Sequence, residues 1–181
     1  DPGSDGVRLY ADGAQLSGVT VDAATADAQA ALVIGDASDV SVSDSRFLGS
    51  QKKWSIYAAG PEHVEGTLDD LARSGELNTN NVIARNHVVS GWAGDAFCFA
   101  GQSGGRVEDN VIEGTLNVLI SRDSVVVDNW ISDAPGPGMT INNPTRDLTV
   151  ERNTIRDSFA SGIRVGPQDI HPQDDKERNP G

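Results

Sequence analysis

One pattern constrains this chain more than any other: an apolar residue, two further residues, an asparagine, one residue, then a second apolar residue. It occurs as Ile83-Asn86-Val88, Val107-Asn110-Ile112, Val126-Asn129-Ile131 and Val150-Asn153-Ile155. Two degenerate copies precede these, Leu16-Val19-Val21 and Val42-Ser45-Phe47. The register residues lie 26, 41, 24, 19 and 24 positions apart, so the one long step marks an insertion into an otherwise regular coil. A recurring unit of this length belongs to chains whose repeats stack on one another to bury a shared core.

Each copy is followed by an alternating apolar pair: Leu32/Ile34, Ile56/Ala58, Phe97/Phe99, Val118/Ile120, Met139/Ile141 and Ile163/Val165. Alternation with a period of two turns one strand face inward and the other outward. Three short strands per repeat, laid rung upon rung, predict an all-β parallel solenoid of about six coils over residues 14–166. The irregular tail 167–181 completes a single domain spanning 1–181. Asparagine suits the bend between two strands because it tolerates positive φ. Its amide can also bond the next amide, about 4.8 Å along the stack. The four asparagines are therefore expected to form a structural ladder.

The bulk numbers limit the partners. Hydrophobic residues make up 37% of the chain and no apolar run reaches membrane-spanning length. The net charge of −13 arises from 20 Asp and 7 Glu against 11 Arg and 3 Lys, which disfavours nucleic acid and anionic membranes as partners. Such a surface suits a salty or extracellular setting. Calcium is the one metal it invites, yet no EF-hand loop or glycine-aspartate nonapeptide specifies a site, and no cofactor is required. The single Cys98 excludes an internal disulfide, and no Cys/His cluster offers a zinc site. The chain opens at Asp1 without an initiator Met, so a fragment of a larger protein is one expectation.

The stretches "LTVERNTIRDSFASGIRVG" and "VVVDNWISDAPGPGMTINN" resemble the right-handed parallel β-helix repeats of pectate-lyase-like and NosD-like proteins. The resemblance covers about residues 14–166. It implies that the asparagine bend separates the second and third strands of a coil and that the Gly-Ile-x-Val run is the first. It also implies a substrate groove along the outward face of the first strands. Val33, Tyr57, Cys98, Leu119, Thr140 and Arg164 are expected in one outward row there.

An insertion follows Tyr57, residues 60–81, with a short helix expected around 67–74 between Thr67 as N-cap and Gly75. Long excursions beside a groove often carry function. This one brings His63, a candidate general base. "SQKKWS" (50–55) and "GWAGDAFCF" (91–99) border the same face and supply Lys53, Trp54, Trp92 and Asp95. The stretch "GDAFC" resembles in part the Gly-Asp-Asp-Cys run of polygalacturonase-type hydrolases, with Ala96 in place of the second acid. Asp95, His63, Lys53 and Arg164 are thus the candidate catalytic residues, and Trp54, Tyr57 and Trp92 the candidate sugar platforms. A competing row lies on the third-strand face: Arg46, His87, Val111, Trp130 and Thr154.

Two functions follow as expectations. One is an extracellular, cell-surface or periplasmic protein that binds a polysaccharide and acts on it by lyase, epimerase or hydrolase chemistry. The other is a non-catalytic glycan-binding or structural solenoid, self-associating or stacking end to end.

Overall fold

The computed structural model describes residues 6–24, 28, 30–49, 54–59, 77–91, 94–142 and 144–166. The helix expected around 67–74 and the tail 167–181 lie outside these residues. The chain winds through three parallel sheets, with strands numbered in chain order. The first sheet stacks β1 (Val7–Leu9), β4 (Ala30–Gly35), β7 (Trp54–Ala59), β11 (Asp95–Ala100), β15 (Thr115–Leu119), β18 (Met139–Asn142) and β21 (Ile163–Val165). The second stacks β2 (Gln15–Ser17), β5 (Ser41–Ser43), β9 (Val82–Ala84), β13 (Arg106–Glu108), β16 (Val125–Val127) and β19 (Thr149–Glu151). The third stacks β3 (Thr20–Asp22), β6 (Arg46–Leu48), β10 (His87–Val89), β14 (Val111–Glu113), β17 (Trp130–Ser132) and β20 (Thr154–Ile155). A short pair, β8 (Asn78–Thr79) and β12 (Gln102–Ser103), lies between the first and second sheets along the chain. Six complete coils result. β1 lies ahead of the span expected from the sequence, and β21 opens a seventh rung of the first sheet.

The core is four columns of inward side chains. In the first sheet Leu32, Ile56, Phe97, Leu116, Met139 and Ile163 are consecutive register partners, two residues before Ile34, Ala58, Phe99, Val118, Ile141 and Val165. The second sheet contributes Leu16, Val42, Ile83, Val107, Val126 and Val150. The third contributes Val21, Phe47, Val88, Ile112, Ile131 and Ile155. Members of the middle coils are fully buried, and Phe97 meets Phe99 edge to face at 6.3 Å. The columns pack apolar side chains of successive rungs together, and the phenylalanine pair packs within one rung; both exclude water.

The expected ladder is present. Asn86 Nδ2 donates to Asn110 Oδ1 at 3.1 Å, Asn110 Nδ2 to Asn129 Oδ1 at 3.0 Å, and Asn129 Nδ2 to Asn153 Oδ1 at 2.9 Å. Each Oδ1 also accepts the backbone N–H of the preceding rung. Ser45 N–H donates to Asn86 Oδ1, and the Ser45 hydroxyl accepts from Val19 N–H, so serine ends the column.

The backbone reason given for asparagine is corrected. Positive φ falls on the residue before it: Asp44, Arg85, Asp109, Asp128 and Arg152, with Gly18 in the first coil. Five positions earlier runs a second such column, Gly13, Asp39, Asn80, Gly104, Asp123 and Asp147. Asparagine turns inward to bond, while its exposed neighbour makes the left-handed turn. Among the described residues, nine of the thirteen non-glycine residues with positive φ are aspartate, a residue that enters this region more readily than most. Part of the chain's acidity is thus a demand of its corners. The column just before the asparagines is also tied by charge at two steps: Arg85 grips Asp44 and Arg152 grips Asp128 across one rung. These bonds hold both carboxyls below the ordinary carboxylate value.

Candidate functional site

Outside the core, the first sheet presents one outward row through its register: Arg8, Val33, Tyr57, Cys98, Asn117, Thr140 and Arg164. The row differs from expectation on one rung, where Asn117 stands in place of Leu119. In β15 the inward pair is Leu116 and Val118, and Ile120 leaves the strand at φ 50°.

The row divides into two parts. Around Val33 and Cys98 it is apolar and covered. Ala30, Val33, Trp54, Cys98, Ala100, Leu119 and Ile120 form a buried cluster against which Tyr57 and Leu77 pack. Trp54 is only 6% exposed and its ring lies 6.1 Å from that of Tyr57. Trp54 therefore contributes its surface to packing, and Tyr57 keeps a partly open position beside it.

Further along, the face is polar and continuous. Asn117 Nδ2 donates to Asp95 Oδ1 at 3.2 Å, and Thr140 Oγ1 donates to Asn117 Oδ1. Arg164 is the register partner of Thr140 on the next rung. Asp95 begins β11 just before a bulge, a device that re-aims side chains at strand ends. Asp95, Asn117 and Arg164 are each half-buried. The structure thus aligns two of the sequence candidates, Asp95 and Arg164, through Asn117 and Thr140. Asn117 is not among the sequence candidates because the alternating pair Val118/Ile120 sets the strand two residues later than the observed pair Leu116/Val118. Lys53, His63 and Trp92 lie outside the described residues. Asp95 is the one acidic residue in the strands of this sheet among the described residues. No described group of three His, Cys, Asp or Glu residues is placed to hold a metal ion.

The third-strand row agrees with its expectation at every rung: Arg46, His87, Val111, Trp130 and Thr154 are consecutive partners, preceded by Thr20. His87 Nε2 lies 2.7 Å from Glu113 Oε1. Val111 and Trp130 are each 42% exposed, and the Arg156 guanidinium sits 5.0 Å from the Trp130 ring centre.

The family model described as "Right handed beta helix region" matches residues 5–170. No curated protein and no solved structure matches the chain. No helix among the described residues is long and apolar enough to cross a membrane.

Proposed function

The chain belongs to the right-handed β-helix family, and from that premise we propose that it is a polysaccharide-binding solenoid whose ligand lies along the outer face of the first sheet. The observation that carries this reading is the run Asp95–Asn117–Thr140, continued in register by Arg164. Side-chain donors and acceptors recur there once per rung, at roughly 4.8 Å. A linear polymer of hydroxylated rings is the ligand whose own repeat best uses such a row. Tyr57 offers an aromatic edge beside it.

Recognition is favoured over turnover by the acid content of the face. Hydrolysis of a glycosidic bond uses two carboxyl groups flanking it, and the described strands of this sheet carry Asp95 alone. The catalytic alternative assigns Asp95 the acid role and draws its second group from Lys53 or His63. A glycan array probed with and without calcium, followed by product analysis on every hit, separates the two. Binding without products, weakened by Asp95→Ala and by Arg164→Ala, is the expected result. Products lost in Asp95→Ala would establish the catalytic alternative. Binding untouched by both substitutions would remove this face as the site.

A further inference from the structure

The third sheet carries a recess of about 420 Å³ at the corner where the second sheet turns into the third, with Arg46, Arg85 and His87 among its walls. Five charged or titratable side chains line it, Arg46, Arg85 and His87 with Asp44 and Asp109, and the three basic ones are not equivalent. Arg85 is committed to a two-bond ion pair with Asp44, both N···O distances being 2.8 Å. His87 is committed to Glu113. Arg46 is exposed and makes no ion pair or side-chain hydrogen bond among the described residues. An uncommitted guanidinium fixed on a strand beside a recess is a receptor for a planar or tetrahedral oxyanion.

From this recess the outward row climbs through His87 and Val111 to Trp130, three rungs or roughly 14 Å away. Val111 and Trp130 leave an apolar, partly aromatic surface open to solvent. The outward columns of this sheet carry Arg46 and Arg156 against Asp22 and Glu113, two charges of each sign. In the recess walls Arg46 and Arg85 likewise stand against Asp44 and Asp109, so formal charge cancels both there and in these columns, in a chain whose total is −13. An anion would meet less repulsion here than the total suggests.

We propose that the third-sheet face is a second saccharide site, selective for an anionic oligosaccharide: Arg46 pairs with a ring carboxylate or sulfate while a sugar farther along the same chain stacks on Trp130. The proposal rests on the glycan-binding reading above. Strand positions fix both anchors, so the ligand is read by the distance between its charge and its stacking ring.

Calorimetric titration of the full chain tests this with three tetrasaccharide probes: a glucuronate oligomer, a sulfated oligomer, and the carboxyl-reduced neutral counterpart. The expected result is that at least one anionic probe binds about tenfold or more tightly than the neutral one. Arg46→Gln should abolish that preference and flatten its dependence on salt. Trp130→Ala should weaken anionic and neutral probes alike. Which anionic probe is preferred identifies the oxyanion. Circular dichroism melts verify that both variants remain folded, as exposed substitutions should. Anionic preference retained in Arg46→Gln, or binding lost only in Asp95→Ala and Arg164→Ala, overturns this site while leaving the first-sheet reading intact. No binding of any probe, together with an array blank for all glycans, overturns both.

Discussion

At the scale of single residues, asparagine and aspartate divide the work of each corner. Asn129 shows the inward half. Its Oδ1 accepts from both the backbone N–H and Nδ2 of Asn110, and its Nδ2 reaches Val107, Val127 and Asn153 oxygens, all within 3.0 Å. Removing it strands two donors of Asn110, a residue 1% exposed. An unpaired buried donor costs about 1–3 kcal/mol, so Asn129→Ala is expected to lower unfolding free energy by about 3 kcal/mol in urea titration. Asn153→Ala strands the corresponding two donors of Asn129, also 1% exposed, but at the half-buried end of the column, where water can reach them, so its cost should be somewhat smaller. A negligible loss at Asn129 would mean that the ladder does not act as a chain of paired groups.

Asp123 shows the outward half, exposed at φ 50° with no charge partner among the described ion pairs. If conformation selects aspartate here, Asp123→Asn should leave stability unchanged although it removes a charge. Asp123→Glu keeps the charge and should cost roughly 1 kcal/mol, because a longer side chain lacks the local bonding that eases the left-handed turn. The reverse order in thermal melts would assign the aspartates to electrostatics. The composition alone suggested salt adaptation or calcium. It could not reveal that so many of these residues occupy left-handed corners, since φ is not written in a count.

Among the elements, what the sequence made legible depended on distance from the asparagine anchor. The third strands begin one residue after it, so Arg46, His87, Val111, Trp130 and Thr154 were placed correctly on every rung. The first strands begin at a variable distance beyond it, after loops of unequal length. There the pair Val118/Ile120 competed with Leu116/Val118, and both alternate correctly. Alternation fixes which residues share a face but not where the strand stops. The positive φ at Ile120 ends it, and that turn moved Asn117 into the row. The hidden burial of Trp54 has a similar origin. Nothing local to "SQKKWS" announces that the outer face of the first sheet carries its own apolar cluster.

Packing between successive elements sets a further constraint where β6 and β10 leave the third sheet. A Cβ on Gly49 would lie 2.0 Å from the backbone nitrogen of Gly91 one rung away. Backbone cannot swing aside as a side chain can. Gly49→Ala is therefore expected to cost at least about 2 kcal/mol, in the range of core overpacking. Gly136→Ala, with nothing within 4 Å of the added carbon, should stay within about 0.5 kcal/mol of the parent. Denaturant midpoints for the pair measure how rigidly rung spacing is held; a mild Gly49→Ala would show that adjacent coils can separate locally.

For the whole molecule, stacking makes stability a matter of position along one axis. Each coil touches only its neighbours, so its resistance to opening depends on its own core and two interfaces. The central coils have both: Val107, Ile112, Val126 and Ile131 are completely buried. The last coil has one described neighbour, its Val150 and Ile155 are half-buried, and Ile163 and Val165 are 45% and 74% exposed. Local opening should begin there and move inward. Amide hydrogen exchange is expected to be slowest in β9, β13, β16, β10, β14 and β17, and faster by orders of magnitude in β19, β20 and β21. The gradient bears on binding as well as folding. Arg164 lies in the weakly supported β21, whereas Arg46 and Trp130 stand on interior strands. A ligand held at Arg164 must order that rung and should slow its exchange markedly; a ligand held at Arg46 and Trp130 should leave it unchanged. Uniform protection along the axis in the free protein would mean that the last coil is covered as well as the central ones, and the distinction between the two sites by exchange would disappear with it.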